Sequence, residues 1–224
     1  MPAVIFDLDG TLIDSYSAHF EAWRSVSREL GHTLTEQQFQ RQFGLRNEPI
    51  LRELHAWTGR PMPDAVGVET LADRKEARYR DLIAGRFPVM AGAEALIAAL
   101  RAAGWLVSIG SSAPRANIDF CLERFIEVGV RFDAVACGCD VRQGKPAPDV
   151  FLLAAARLDA DPADCIVVED AAAGIEAARR AGMASVGMCS TGRTAEELAR
   201  ADLVVDSFLG LSIEQLESVR GSHA

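Results

Sequence analysis

The chain has 224 residues, 49% of them hydrophobic and 25% charged, with a net charge of −9. That is ordinary material for a globular protein with a real core, enough for one large domain or a core carrying an insert, and it argues against disorder. The acidic balance argues against wrapping nucleic acid or lying on an anionic membrane, but admits a small anionic substrate, because a few local cations and one metal ion reverse the field inside a cleft.

The first apolar run, residues 3–6, ends at Asp7-Leu8-Asp9-Gly10. It is too short for a signal peptide, and no run of about 18 apolar residues predicts a membrane span. Similar short runs recur at 105–109, 134–137, 165–168, 184–188 and 203–205. None alternates cleanly, which is the pattern of strands buried on both faces of a parallel sheet. Helical patterns at 93–103, 114–125, 149–158 and 171–181 separate them, with Gly104 and Gly182 as stops and Pro114 as a start. The alternation predicts an α/β fold with a doubly wound parallel sheet. Residues 15–87 interrupt it with helical patterns at 17–30, 36–42, 48–58 and 68–84, punctuated by Gly31, Gly44, Gly59, Pro61 and Pro63. The expected division is a core of 1–14 and 88–224 with a helical insert at 15–87. Residues 221–224 are set aside as a tail that need not be native.

The cysteines Cys121, Cys137, Cys139, Cys165 and Cys189 are odd in number and lie largely in apolar stretches. They read as reduced thiols of a cytoplasmic protein. Cys137-Gly138-Cys139 lacks a second Cys/His cluster and reads as structural rather than metal-binding.

Open parallel sheets bind ligands beyond the carboxyl ends of their strands. Here those ends carry Asp7 and Asp9, then Gly110-Ser111-Ser112, then Lys145 in a following loop, then Glu169-Asp170. Crowded carboxylates repel unless a counter-charge is present, and a hard divalent cation with oxygen ligands, Mg2+, fits that need. Lys145 adds a second positive charge, and a phosphate bridging metal and lysine finds further donors at Ser111 and backbone N–H groups. A carboxylate nucleophile attacks phosphorus, and a second acid two residues along protonates the leaving oxygen and later activates water. Ser111 also suits a turn or helix cap, and Glu169 a helix N-terminus. Thr11 is expected to order the turn around the acids, and Trp23, Trp57 and Trp105 to serve the core.

Phe6-Asp7-Leu8-Asp9-Gly10-Thr11-Leu12, Ser111, Lys145 in Gly144-Lys145-Pro146, and Val168-Glu169-Asp170 followed by Gly174-Ile175 resemble, in order, the four motifs of the haloacid-dehalogenase-like hydrolases. The resemblance spans nearly the whole chain. It implies a Rossmann-like core with the insert as an α-helical cap, Asp7 as nucleophile and Asp9 as acid/base. It also implies magnesium held by the Asp7 side chain, the Asp9 backbone oxygen and Asp170, with Glu169 assisting. Dehalogenases and phosphonate-cleaving relatives lack an acid at the position of Asp9, so neither activity is expected. His19 and Trp23, with Lys75, are similar to the β-phosphoglucomutase-like subgroup. Mutases of that subgroup carry a Lys-Gly pair in the cap and an arginine three residues on; here Phe43 precedes Gly44 and Asn47 stands for the arginine, with Arg46 beside it. The departure favours a plain phosphatase over a mutase; a non-catalytic binding protein is the third reading.

The remaining substrate candidates stay open between roles. His19 either gates the cap or lies on a helix face. Arg46 and Lys75 either meet substrate or are solvated helix charges, and Ser112 and Asn117 either bind phosphate or only shape their turn. The expected ligand is a small phosphorylated metabolite, handled by a monomer or weak homodimer.

Overall fold

The computed structural model describes residues 1–190 and 192–223; Ala224, the last residue of the tail set aside above, lies outside them. The chain divides into two compact units, Met1–Asp14 with Val89–Ala224, and Ser15–Pro88. Strand β1 (Ala3–Phe6) opens the first unit. The second unit is entirely helical: α1 (Tyr16–Glu29), α2 (Glu36–Gln40), α3 (Asn47–Thr58) and α4 (Ala65–Ala84). Thr35 and Gln38 form a capping box that starts α2. Asp64 accepts the Gly67 N–H at 2.9 Å, so α4 begins three residues before the expected 68. Gly59, at φ 65°, ends α3. Trp23, Phe39, Phe43, Leu51 and Leu54 form the core of this unit.

The first unit continues with α5 (Ala93–Ala102), β2 (Leu106–Gly110), α6 (Arg115–Glu127) and β3 (Ala134–Ala136). Then come α7 (Asp149–Arg157), β4 (Cys165–Glu169), α8 (Ala172–Arg180), β5 (Ala184–Met188), β6 (Leu203–Val205) and α9 (Ile213–His223). The six strands form one parallel sheet in the order β3-β2-β1-β4-β5-β6, a Rossmann-like α/β fold. On one face Ala3, Ile5, Cys165 and Val167 pack with Phe151 and Ala154 of α7 and Ala177 and Ala178 of α8. Phe6, one residue on and therefore on the opposite face, meets the ring of Phe208 at 6.0 Å. No helix among the described residues is long and apolar enough to cross a membrane.

Both edge strands are three residues long and each is preceded by an aspartate. Asp133 accepts the Val107 N–H at 2.9 Å and returns its own N–H to the Val107 carbonyl at 2.8 Å. Asp202 does the same with Ser185, at 2.7 and 3.0 Å. A side chain thus stands in for one rung of the ladder at the start of each edge.

Two expectations are corrected, and residues 221–223 of the tail set aside above form the last turn of α9, whose buried Leu216 and Val219 continue the core. Cys137 and Cys139 are joined by a disulfide rather than held as free thiols, while Cys121, Cys165 and Cys189 remain free. The physical reason is local: Cys137 is extended, the single turn Gly138–Asp140 folds the chain back, and the two Cα atoms come within 5.4 Å, inside the range that a disulfide spans. Trp57, expected in the core with Trp23 and Trp105, is 39% exposed.

Gly110 lies where the sheet and α7 approach closely: an added Cβ would stand 2.8 Å from Phe151 and 2.9 Å from Ile5. Gly110→Ala is expected to cost about 1–3 kcal/mol, read by calorimetry as a melting temperature lower by roughly 2–12 °C.

Candidate active site

Strand order reverses between β1 and β4, and Asp7, Glu169 and Asp170 lie at the carboxyl ends of those two strands. This is where an open α/β sheet leaves a crevice. The Asp7 N–H still donates to the Val168 carbonyl at 2.9 Å, so the ladder fixes the Asp7 backbone even though the strand has ended. Beyond it the chain doubles back. Leu8's carbonyl accepts the N–H groups of Leu12 and Ile13 at 2.9 and 3.1 Å, the Gly10 N–H reaches the Ile13 carbonyl at 2.9 Å, and Gly10 takes φ 84°. Asp9 sits half-buried within this turn.

Lys145 comes in from the loop before α7. Its Nζ donates to Asp7 Oδ1 and to Glu169 Oε2, both at 2.6 Å, and lies 4.7 Å from the centre of the Phe151 ring. The other Glu169 oxygen accepts the Ala171 N–H at 3.1 Å. Asp7, Glu169 and Asp170 are 5%, 2% and 2% exposed, and each offers a carboxylate oxygen within 4.8 Å of the others.

Burial pushes the Asp7 carboxyl up to about 8; Lys145 opposes the rise, while Glu169 and Asp9 add to it. Burial also works against the charge on Lys145, but Asp7 and Glu169 outweigh it and hold the ammonium above the usual lysine range. Asp7, Glu169 and Asp170 together offer a buried all-oxygen donor set in which Lys145 is shared between two of the three, and such a set fits a divalent hard cation such as Mg2+.

Ser111 follows β2. Its N–H donates to the Ala136 carbonyl at 3.1 Å and its hydroxyl oxygen accepts the Ala113 N–H at 3.2 Å, shaping a tight loop. Gly138 seals that loop from the side of β3: its N–H reaches the Ala113 carbonyl at 3.0 Å, and a Cβ there would fall 2.3 Å from the Ser112 carbonyl oxygen. Ser112 is half-buried, and Asn117 is fully buried on the inner face of α6.

The structure therefore brings Asp7, Lys145, Glu169 and Asp170 together, with Asp9 one turn away and Ser111 at the end of the neighbouring strand. His19, Arg46 and Lys75 belong to the helical unit, where Arg46 precedes the first residue of α3. Lys75 is not a solvated helix charge: it is 2% exposed, its Nζ lies 2.6 Å from His19 Nδ1 and 3.0 Å from Glu76 Oε1, and the Trp23 and Tyr79 rings flank it. His19 stacks on Tyr79 at 3.8 Å.

A model of the haloacid dehalogenase-like hydrolases matches residues 1–182. The chain belongs to that family. It is 33% identical over 219 residues to a β-phosphoglucomutase of Bacillus subtilis, an alignment covering 96% of this chain and 94% of that protein. It is 33% identical over 189 residues to the fructose-1-phosphate phosphatase YqaB of Escherichia coli, covering 82% and 94% of the two chains. Among solved structures, β-phosphoglucomutase from Clostridium difficile superposes with a TM-score of 0.88 at 27% identity, covering 100% of this chain and 98% of that one.

Two contributors to this haloacid dehalogenase-like site carry no chemistry of their own and escaped the sequence reading. Phe151 lies beside the Lys145 ammonium. Gly174 makes room for Glu169: a Cβ there would stand 2.1 Å from the Glu169 carboxyl carbon. The glycine five residues beyond Glu169 was legible as part of a motif, but not as the space into which that acid folds. Gly174→Ala is expected to displace Glu169 and lower hydrolytic turnover roughly 10–100-fold with the fold intact, checked by kinetics beside circular dichroism.

A second acid, outside the crevice, ties the edge of the core together. Asp140 accepts from Arg115 and Arg157, at 2.8 Å each, and from the Cys137 N–H at 2.9 Å. Burial alone would raise it, but Arg157, the Cys137 N–H and Arg115 hold it down at about 2. A depressed folded-state value stabilises above the unfolded value of about 3.9, and that contribution is lost as pH falls through the interval to about 2. Asp140→Asn is expected to cost about 1–2 kcal/mol at neutral pH and nothing near pH 2, measured by denaturant titration at both pH values.

Proposed function

We propose that this hydrolase is a magnesium-dependent phosphatase of a small phosphorylated metabolite, most suitably a sugar phosphate, acting in the cytoplasm through an aspartyl-phosphate on Asp7. The observation that carries the reading is the buried Asp7–Lys145–Glu169 arrangement beside Asp170. An anionic carboxylate is held within reach of two positive charges when the cation is bound, and a phosphate needs the same two. The named phosphatase and mutase relatives support the substrate class.

Asp7, Glu169 and Asp170 would hold the cation, together with the Asp9 backbone oxygen. Bound there, it would neutralise charge on the transferring phosphoryl group. Lys145 favours the ionised form of Asp7 against its burial and donates to a phosphate oxygen, and Ser111 and the N–H groups of its loop bind the others. The Asp7 carboxylate oxygen forms a bond to phosphorus as the bond to the substrate oxygen breaks. Asp9 gives its proton to that leaving oxygen. Asp9, now anionic, takes a proton from water, whose oxygen attacks phosphorus and frees Asp7 and inorganic phosphate. In this reading the sheet-bearing unit carries the chemistry and the helical unit is the cap that selects the substrate, with His19, Arg46 and Lys75 among its contributors.

A mutase shares the first half of this scheme. It must then hold a phosphorylated sugar by its second phosphate, and the position of the mutase lysine is here Phe43, 6% exposed and packed against Tyr16 and Phe39 at 5.1 and 5.7 Å. An aromatic ring in that core offers no cation, which favours hydrolysis.

Phosphate release across a panel of sugar phosphates is expected to require magnesium, to stop with EDTA, and to fall at least about 10³-fold in Asp7→Asn. Wild-type rates in the mutant would sink the covalent reading. Conversion of a hexose 1-phosphate to its 6-phosphate on adding a bisphosphate, without phosphate release, would make the protein a mutase.

A further inference from the structure

Just past β3 the chain carries a sulfur pair that the hydrolytic scheme leaves unused. A disulfide joins Cys137, fully buried, to Cys139, exposed, across the single residue Gly138. The other three cysteines are free, Cys121 and Cys165 buried and Cys189 half-buried. In a reducing compartment such as the cytoplasm proposed above, a disulfide is usually transient and redox-sensing rather than structural.

The residue that this disulfide spans is the one that supports the Ser111 loop. The Gly138 N–H donates to the Ala113 carbonyl at 3.0 Å, and its Cα lies so close to Ser112 that a Cβ would fall 2.3 Å from the Ser112 carbonyl oxygen. One residue before the pair, the Ala136 carbonyl accepts the Ser111 N–H at 3.1 Å. Residues 111–113 therefore lean at both ends on residues 136–138. Asp140, just beyond the pair, accepts the Cys137 N–H at 2.9 Å and bonds Arg115 at the start of α6. These bonds hold the turn in outline whether or not the sulfurs are joined.

Two thiols need more room than the disulfide they replace. Cys137 is enclosed by the core and has no room to yield, so Cys139 moves outward and draws on the Gly138 peptide between them. We propose that Cys137–Cys139 is a reversible thiol–disulfide site that tunes the phosphate loop: joined, it holds Gly138 against Ser112 and Ala113; opened, it slackens that support and weakens phosphate binding. The inference rests on the reading of the Ser111 loop as the phosphate cradle, and it gives neither cysteine a contact with substrate.

The exchange balances with a dithiol as reductant. One of its thiolates attacks the exposed Cys139 sulfur, the S–S bond breaks, and Cys137 leaves as a thiolate that takes a proton. The second thiolate of the reagent attacks its own sulfur in the mixed disulfide and frees Cys139, leaving the reagent as a cyclic disulfide. A low-molecular-weight disulfide reverses the change.

The test compares protein treated with oxidised glutathione and with dithiothreitol, its thiols counted by mass spectrometry after alkylation. The quantities read are kcat and the inhibition constant of inorganic phosphate, against the fastest sugar phosphate of the panel. Reduction is expected to weaken phosphate about threefold to tenfold, reversibly, with kcat held within about twofold. Cys139→Ser, which keeps the three free cysteines, is expected to match the reduced protein and to ignore dithiothreitol. No disulfide after oxidation, the same inhibition constant in both forms, or an equal response in Cys139→Ser would overturn the proposal. Ser111→Ala run alongside separates the two layers. If it weakens phosphate and the redox state does not, only the coupling is lost. If it leaves phosphate binding unchanged, the loop is not the cradle and the redox role goes with it.

Discussion

Everything at the carboxyl edge of this sheet is arranged around one ammonium group. Lys145 bonds two buried carboxylates at once, and without it three acids would share a pocket with almost no water to screen them. A buried ion pair is weak support for stability, because desolvation offsets much of the attraction. Its value in the proposed reading is chemical: a carboxylate that is to act as nucleophile must be ionised where burial favours the neutral acid, and Lys145 opposes that tendency directly. The same buried oxygens are the donor set of the proposed cation site, so one cluster serves both purposes in that reading.

The rest of the fold serves to deliver those groups to the same few ångströms. Asp7 and Glu169 arrive on adjacent strands whose register pairs Phe6 with Val168, which sets the two acids side by side. Lys145 arrives from a loop that precedes α7, and α7 also supplies Phe151 beside the ammonium. Helix α8 begins immediately after the acidic pair and is thin at Gly174, so Glu169 folds back against it and takes a backbone N–H. Three separate packing decisions, at a strand register, a helix start and a missing side chain, converge on one geometry.

Much of this was legible because it is written in local patterns. A short apolar run broken by Asp7-Leu8-Asp9-Gly10 declares a buried strand whose end turns polar, and the alternation of such runs with helical stretches declares a parallel sheet. What escaped was set by tertiary contact. Lys75 has the sequence context of a surface helix charge, and only the approach of α1 turns it inward against His19. Residues 213–223 have weak amphipathic patterning and end in small polar residues, so their helix is evident only from the core that Leu216 and Val219 complete. Cys137 and Cys139 read as ordinary buried thiols until the turn between them is known. Gly174 was visible as a letter in a motif, but its meaning lies in a neighbour five residues back.

The aspartates ahead of the two edge strands have a consequence for how the molecule meets other molecules. A parallel sheet exposes an unpaired ladder at each edge, and a long, flat one is a template on which another chain can add a strand. Because Asp133 and Asp202 fix the register at the first rung, each edge strand holds its place with only three residues. The sheet therefore ends abruptly on both sides, presenting too short a row of free backbone groups to recruit a foreign strand. Resistance to aggregation is built into the way the sheet is terminated, independently of anything the crevice does.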